Sequence, residues 1–100
     1  MKKCKITVVR KVTHQDLIDK YEIPQANPCP LKEGEVFYSV DALMPQGFCE
    51  SAWQNLYPYV LALSSGGMKI FNDWMKDERS AIISCNDGFR PVSFLIEVII

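Results

Sequence analysis

Residues 81–100 read AIISCNDGFRPVSFLIEVII, and this stretch contains the clearest structural unit in the sequence. Two runs rich in β-branched and aromatic residues flank an Asn-Asp-Gly sequence, which is the composition of two strands joined by a turn. We predict a β-hairpin in which Gly88 takes a positive φ and Pro91, which lacks an N–H donor, lies near an edge or a bulge. Apart from Ser93 and Glu97, the second run is apolar on both faces, so helices or another subunit should cover it.

The rest of the sheet and the first helix are predicted upstream of this hairpin. Residues 5–12 (KITVVRKV) are β-branched and loosely alternating, and residues 35–40 (EVFYSV) follow a glycine, so both are predicted strands. Between them, Thr13 is a candidate N-cap for a short helix that ends near Glu22, because Pro24 cannot continue a helix.

A longer helix is predicted to begin after Cys49. Its apolar residues recur at intervals of three and four: Trp53, Leu56, Val60 and Leu63. Gly66 and Gly67 should end this helix, and Pro58 should kink or break it. A further short helix is predicted within residues 68–78. Its inward-facing residues would be Met68, Phe71, Trp74 and Met75.

Together these elements predict a single α+β domain over residues 1–100, because a chain of this length cannot divide its core. The sheet should be small, with about four or five mainly antiparallel or mixed strands that can curl towards a barrel, and it should carry two or three helices. Apolar residues make up 48% of the chain and charged residues 23%, which is typical of a folded globular protein.

Charge and hydropathy exclude several classes of partner. The 11 basic and 12 acidic residues give a net charge of -1, which provides no positive field for nucleic acid. The N-terminal MKKCKI is basic but lacks the apolar stretch of a signal peptide, and no window approaches the ~20 apolar residues of a membrane span. We therefore expect a cytoplasmic protein with no nucleic-acid or membrane partner, whose cysteines stay reduced.

Three of the 4 cysteines lie at predicted junctions of the chain. Cys29 stands between two prolines, Cys49 precedes the long helix, and Cys85 ends the first strand of the hairpin. Thiols at such positions can converge on one pocket. No C-x-x-C pair occurs, so the spacing itself predicts neither a zinc ribbon nor a thioredoxin-type site.

Several short motifs follow one another along the chain. They are CPL at 29–31 with Gly34 and Phe37, GFC at 47–49 with Ala52, Trp53 and YVLAL at 59–63, and CxDGxRPV at 85–92. In this order they resemble a family of small, uncharacterised bacterial and archaeal proteins, and the resemblance extends from Lys3 to about Val98. It implies a shared signature but no activity. The signature residues would be Cys29, Cys49, Cys85, Asp87, Gly88, Arg90 and Pro91.

Cys49 is the first candidate for chemistry, because unpaired N–H groups and the dipole at a helix N-terminus stabilise a thiolate. The charge of Glu50 opposes this effect, and the competing interpretation is a half-buried small hydrophobe. Cys85, Asp87 and Arg90 are expected to cluster at one end of the hairpin, where Arg90 would bind an anionic ligand. The alternative for Arg90 is a surface ion pair with Asp87.

The hypothesis that we favour is a binding protein for a small anionic ligand or a metal. Three thiolates, from Cys29, Cys49 and Cys85, would suit Zn²⁺, Cu(I) or an iron–sulfur cluster. A fourth ligand could come from Asp87, from outside the protein or from His14, although a lone histidine at a helix start is more often solvated or capping.

Two other functions stay open. In a thiol-dependent enzyme, Cys49 would attack, Cys85 would resolve and Arg90 would orient an acidic substrate. Trp53 could stack on a flat ligand, although an aromatic residue at helical spacing is usually part of the core. In a homo-oligomeric interaction module, exposed apolar residues would form the interface. Those residues would be Phe71, Trp74, Ile99 and Ile100.

Overall fold

The computed structural model describes residues 1–24 and 29–99. Its strands are β1 (Lys3–Lys11), β2 (Val36–Ser39), β3 (Ser80–Ser84) and β4 (Val92–Ile99). Its helices are α1 (Gln15–Tyr21), α2 (Glu50–Ser64) and the short α3 (Ile70–Asp73). The fold is α+β, as the sequence predicts. None of the helices in the described ranges combines the length and the hydropathy that crossing a membrane requires.

The strands form one antiparallel 4-stranded sheet in the order β2-β1-β4-β3. The predicted C-terminal hairpin is confirmed, because β3 pairs with β4 and Ile82 lies opposite Leu95. β1 lies in the middle of the sheet, where Ile6 faces Ile96 of β4 on one side and Phe37 of β2 on the other. The sheet is open and does not close into a barrel, since β2 and β3 are its two edges.

The core lies between one face of this sheet and α2. Alternation along the strands turns one set of side chains towards the helix, and the spacing of three and four in α2 turns its apolar stripe towards the sheet. The strand residues of the core are Cys4, Ile6, Val8, Ala81, Ile83, Val92, Phe94 and Ile96. The helix contributes Ala52, Leu56, Val60 and Leu63, all fully buried. Leu95 and Glu97 point to the opposite face and are only half-buried, so within the described residues this face of β4 is partly covered, and its coverage by another subunit stays a prediction.

The loop of the hairpin differs from the tight turn that the sequence predicts. Residues 85–91 connect the two strands, and Gly88 does not take a positive φ. Instead, the carboxylate of Asp87 accepts the backbone N–H groups of Phe89 at 2.8 Å and Arg90 at 3.1 Å. This side-chain acceptor satisfies the loop backbone, which removes the need for a left-handed glycine.

Two prolines also behave differently from the prediction. Pro58 lies within α2 without breaking it, because it occupies the exposed side of the helix while Leu56 and Val60 anchor the buried side. Pro91 precedes β4, which is a central strand, so it marks neither an edge strand nor the bulge. The register shift lies in β1, at residues 8–10.

The two short helices were predicted only in part. α1 begins at Gln15 with His14 as its N-cap and no side-chain capping bond, so the predicted cap at Thr13 is wrong. α3 covers only four residues, and Phe71, Asn72 and Asp73 within it have positive φ, so the segment is an irregular turn rather than the regular helix that the sequence predicts. Trp74 beside it is 80% exposed rather than directed inward. Of the interface predicted for a homo-oligomer, Trp74 and Ile99 are exposed, Phe71 is only half-buried and packs against Tyr59 with ring centroids 5.8 Å apart, and Ile100 lies outside the described residues. The interaction-module hypothesis therefore stays a prediction.

Candidate functional site

A pocket of about 210 Å³ lies where the start of α2 meets the hairpin loop and residues 29–31. Cys29, Cys49 and Cys85 all line it, and we call it the three-cysteine pocket. The other lining residues are Pro30, Leu31, Ser51, Ala52, Asn86, Asp87, Arg90 and Val92. Leu31, Ala52 and Val92 belong to the buried core, so the pocket is built directly on the packed interior. The fold thus brings together three free thiols from three separate segments.

Cys49 is held in place by the residue before it. Cys49 is the N-cap of α2 and has extended backbone geometry, and its carbonyl accepts the N–H of Trp53 at 2.9 Å. Phe48 is only 6% exposed. Its ring lies edge-on to Phe37 with centroids 4.9 Å apart, and the centroid of Phe94 is 5.4 Å away. Phe48 therefore anchors the beginning of the helix to the sheet and fixes where Cys49 projects.

The pKa of the Cys49 thiol lies below the ordinary value for cysteine. Burial is the largest single influence and raises this pKa, as does Glu50, but the Ser51 hydroxyl and the backbone N–H groups of Ala52 and Ser51 together lower it by more. Cys49 Sγ lies 3.3 Å from Ser51 Oγ. The N–H groups of Ser51 and Ala52 belong to the first turn of α2, so the start of the helix lowers the pKa of the Cys49 thiol. A lowered pKa raises the fraction of the thiolate, which is the nucleophilic form, at a given pH.

Cys85 is fixed at the end of the hairpin by its own strand partner. Its Sγ accepts the N–H of Val92 at 3.2 Å, and its N–H donates to the Val92 carbonyl at 2.9 Å. The side-chain amide of Asn55 on α2 donates to the carbonyl of Ser84 at 3.2 Å, which ties the helix to the end of β3. Both walls of the pocket that carry Cys49 and Cys85 are therefore attached to regular elements.

Cys29 is positioned by a lysine at the end of β1. Lys11 Nζ donates to the carbonyls of Cys29 at 3.2 Å and Leu31 at 2.6 Å. The backbone N–H of Lys11 also donates to the carboxylate of Glu33 at 3.0 Å. Pro28, which was predicted to stiffen Cys29 from the other side, lies outside the described residues. The backbone of residues 29–31 is thus held against the sheet by its carbonyl groups.

Arg90 lines the pocket, but its guanidinium already has a partner. Nη1 and Nη2 donate to the two carboxylate oxygens of Glu22 at 2.9 and 2.8 Å. The Glu22 side chain is only 6% exposed. The hydrogen bonds with Glu22 raise the pKa of Arg90, and the charge of Asp87 acts in the same direction. The predicted ion pair between Arg90 and Asp87 is therefore replaced by one with Glu22, which balances the positive charge inside the protein.

Three other residues singled out from the sequence lie elsewhere. Trp53 packs its ring against Phe48 and Tyr57, with centroids 6.0 and 5.8 Å away, and it does not line the pocket. His14 caps α1 and is likewise not a lining residue. Cys4 is fully buried in β1, and burial raises the pKa of its thiol. Cys4 is a core residue.

Metal binding receives no geometric support. Within residues 1–24 and 29–99, no three histidine, cysteine, aspartate or glutamate residues are grouped so that they could hold a metal ion. Structural zinc sites need four such ligands at about 2.0–2.3 Å from the ion. Cys29, Cys49 and Cys85 share a pocket without forming such a set.

Sequence reasoning missed three residues that shape the pocket. Ser51 had a local signal, since it stands two residues after the predicted helix start at Cys49, where its hydroxyl can reach the preceding thiol. Lys11 and Glu22 had none. Their partners Leu31 and Arg90 are 20 and 68 residues away in sequence, so only folding creates these contacts.

Comparison of the chain with protein-family models, curated proteins and solved structures found no match.

Proposed function

We propose that the protein binds a small ligand in the three-cysteine pocket and that the thiolate of Cys49 contacts this ligand. The observation that carries the proposal is that three thiols line one pocket, and that one of them, Cys49, lies at the start of α2 with its sulfur 3.3 Å from Ser51 Oγ. Free cysteines are usually buried singly as small hydrophobes, as Cys4 is here. Three half-buried thiols from distant segments around one hollow suit a binding site better than packing.

The charges around the pocket favour a neutral ligand over an anionic one. The positive charge of Arg90 is balanced by its ion pair with Glu22, and Asp87 adds a carboxylate to the wall of the pocket. A thiolate at Cys49 adds further negative charge. An anion would therefore meet an unfavourable field unless it displaced Glu22 from Arg90. A soft, electrophilic group suits a thiolate in this setting.

Alkylation tests the proposal directly. The reduced protein is treated with iodoacetamide near pH 7, and peptide mapping by mass spectrometry gives the rate at each cysteine. We expect Cys49 to react at least ~5-fold faster than Cys29 and Cys85, because its thiolate fraction is larger. Equal rates at the three sites would refute an activated Cys49, and with it the proposed function.

A thiol-dependent enzyme is the second candidate. The same acidified Cys49 that would contact a ligand can attack it, and Cys85 in the same pocket provides a second sulfur. Catalysis differs from binding in that the ligand leaves in altered form. Turnover of an electrophilic probe, with regeneration of the free thiol of Cys49, would favour the enzyme, whereas a stable one-to-one adduct would favour the binding protein.

The prediction of zinc, Cu(I) or an iron–sulfur cluster needs its own test. Because the described residues offer no group of three ligands, a metal would depend on two or fewer thiolates together with ligands from outside the protein. Metal analysis of protein prepared without oxygen and in reductant measures this. Stoichiometric metal that is lost in the Cys49→Ser variant would establish metal binding, and substoichiometric metal would exclude it.

A further inference from the structure

We infer that the ligand class of the three-cysteine pocket is the small disulfides, and that Cys85 is the thiol that resolves the mixed disulfide formed at Cys49. This inference rests on the reactive Cys49 of the proposed function. It follows the thiol-dependent enzyme, in which the ligand leaves in altered form, and names the substrate of the same pocket. Three observations carry it: the activation of Cys49, the way in which Cys85 is held, and the size and charge of the pocket.

Cys49 is the attacking thiol because it is the pocket cysteine whose surroundings favour the thiolate. Thiol–disulfide exchange begins with attack of a thiolate on one sulfur of a disulfide. Ser51 Oγ lies 3.3 Å from Cys49 Sγ, and Cys49 is the N-cap of α2, where the positive end of the helix dipole favours a thiolate.

Cys85 is the better resolving thiol of the remaining two. Its sulfur accepts the N–H of Val92 at 3.2 Å, and this hydrogen bond holds the sulfur at the wall of the pocket that Cys49 also lines. Cys29 is held differently, because Lys11 binds the carbonyl groups of its segment and makes no contact with its sulfur. The bond between Asn55 and Ser84 also attaches the wall that carries Cys85 to α2.

The pocket suits a small disulfide rather than one within a folded protein. Its volume of about 210 Å³ corresponds to roughly seven water molecules at ~30 Å³ each, which is room for one arm of a low-molecular-weight disulfide. Leu31, Ala52 and Val92 offer apolar surface to that arm. The pairing of Arg90 with Glu22 removes the attraction for a strongly acidic arm, so an uncharged disulfide is the fitting probe.

The exchange balances without any further reagent. The Cys49 thiolate forms a bond to one sulfur of the small disulfide, whose S–S bond breaks, and the released arm leaves as a thiolate that takes up a proton. Cys85, after losing its proton, then attacks Cys49 Sγ and expels the second arm as a thiol. Two protein thiols are oxidised to an internal disulfide while one small disulfide is reduced to two thiols.

The test uses the full-length reduced protein and bis(2-hydroxyethyl) disulfide, followed by mass spectrometry of the intact chain and its peptides. The wild type should lose two hydrogens and form a bond between Cys49 and Cys85. Cys85→Ser should stop at the mixed disulfide on Cys49, and Cys49→Ser should consume the probe at least ~10-fold more slowly. Serine keeps an acceptor for the Val92 N–H, and a melting curve verifies that Cys85→Ser is folded. Cys29→Ser is the comparison variant.

The outcomes separate the inference from the proposed function. If Cys29→Ser rather than Cys85→Ser traps the mixed disulfide, the assignment of Cys85 is wrong. If the wild type does not react with the probe although Cys49 still alkylates faster than the other two cysteines, small disulfides are the wrong ligand class and the proposed function stands. If Cys49 neither reacts with the disulfide probe nor alkylates faster than the other two cysteines, both the inference and the proposed function are wrong.

Discussion

Replacing Phe48 by alanine tests whether the core and the pocket are one unit. Phe48 contacts the sheet through Phe37 and Phe94, its ring also lies near Trp53, and it immediately precedes Cys49. The substitution removes a side chain that is only 6% exposed and leaves a cavity beneath the start of α2. We therefore expect two linked losses, in the stability of the fold and in the reactivity of the Cys49 thiol.

The expected magnitude follows from burial. A buried phenylalanine replaced by alanine costs about 3–5 kcal/mol in the free energy of unfolding. A domain of this size has roughly 5–15 kcal/mol in total, so Phe48→Ala should remain folded near room temperature but with a much smaller margin. At about 4–8 °C per kcal/mol for a small domain, the melting temperature should fall by roughly 12–40 °C. Trp74→Ala is the control, because Trp74 is 80% exposed and its loss should cost ~0.5 kcal/mol or less.

Urea unfolding followed by circular dichroism measures the first loss, and the rate of iodoacetamide alkylation measures the second. At a temperature where Phe48→Ala is still folded, the alkylation rate of Cys49 should fall towards that of Cys29. A loss of stability below ~1 kcal/mol would contradict the placement of Phe48 in the core. A large loss of stability with an unchanged Cys49 rate would show that Phe48 does not position the thiol.

Three further results are expected around the same thiol. Ser51→Ala removes a hydroxyl that lowers the pKa of Cys49, so alkylation of Cys49 near pH 7 should slow by about 2–5-fold. Ser65→Ala, at the far end of α2, is the control and should leave this rate unchanged. Equal effects of the two variants would contradict a local role of Ser51. Because the folded-state pKa of Cys49 lies below its unfolded value, the thiolate stabilises the fold above the unfolded pKa, and this contribution is lost as the pH falls through the folded pKa. Cys49→Ser should therefore lower the melting temperature more at about pH 9.5 than at about pH 6, and a pH-independent difference would argue against the lowered pKa. Glu22→Gln removes the carboxylate that pairs with Arg90, so the freed positive charge should attract the anionic reagent iodoacetate more than the neutral iodoacetamide. The ratio of the two alkylation rates at Cys49 should therefore rise about 2–5-fold. An unchanged ratio would mean that Arg90 does not influence the pocket.

The secondary structure was largely predictable because each element has a local cause. Alternation of apolar residues in β1 and spacing of three and four in α2 both indicate one buried face, and the structure confirms both elements. The errors occur where tertiary contacts replace the local rule. Asp87 satisfies the hairpin loop with its side chain, so Gly88 needs no special backbone, and packing of α2 on the sheet outweighs the missing hydrogen bond of Pro58.

The pocket was predictable only in its cysteines. Cys29, Cys49 and Cys85 were predicted to share a pocket because all three lie at junctions of the chain. Residues at such junctions lie outside the regular core positions of strands and helices. Their electrostatic setting could not be predicted, because it depends on distant partners. Glu22, which is 68 residues away in sequence, forms an ion pair with Arg90 and balances the positive charge that the sequence predicts would bind an anionic ligand.

The antiparallel hairpin, the amphipathic helix that begins at Cys49 and the lack of a charge pattern for nucleic acid could all be predicted from the sequence, because these properties depend on residue types and on neighbours a few residues apart. The packing of the whole chain was needed to show that β1 enters between β2 and β4, that three separate thiols line one pocket, and that Arg90 is paired with Glu22. The physical reason is that contacts between distant segments arise from the packing of whole faces. No local pattern records which distant side chain will meet which.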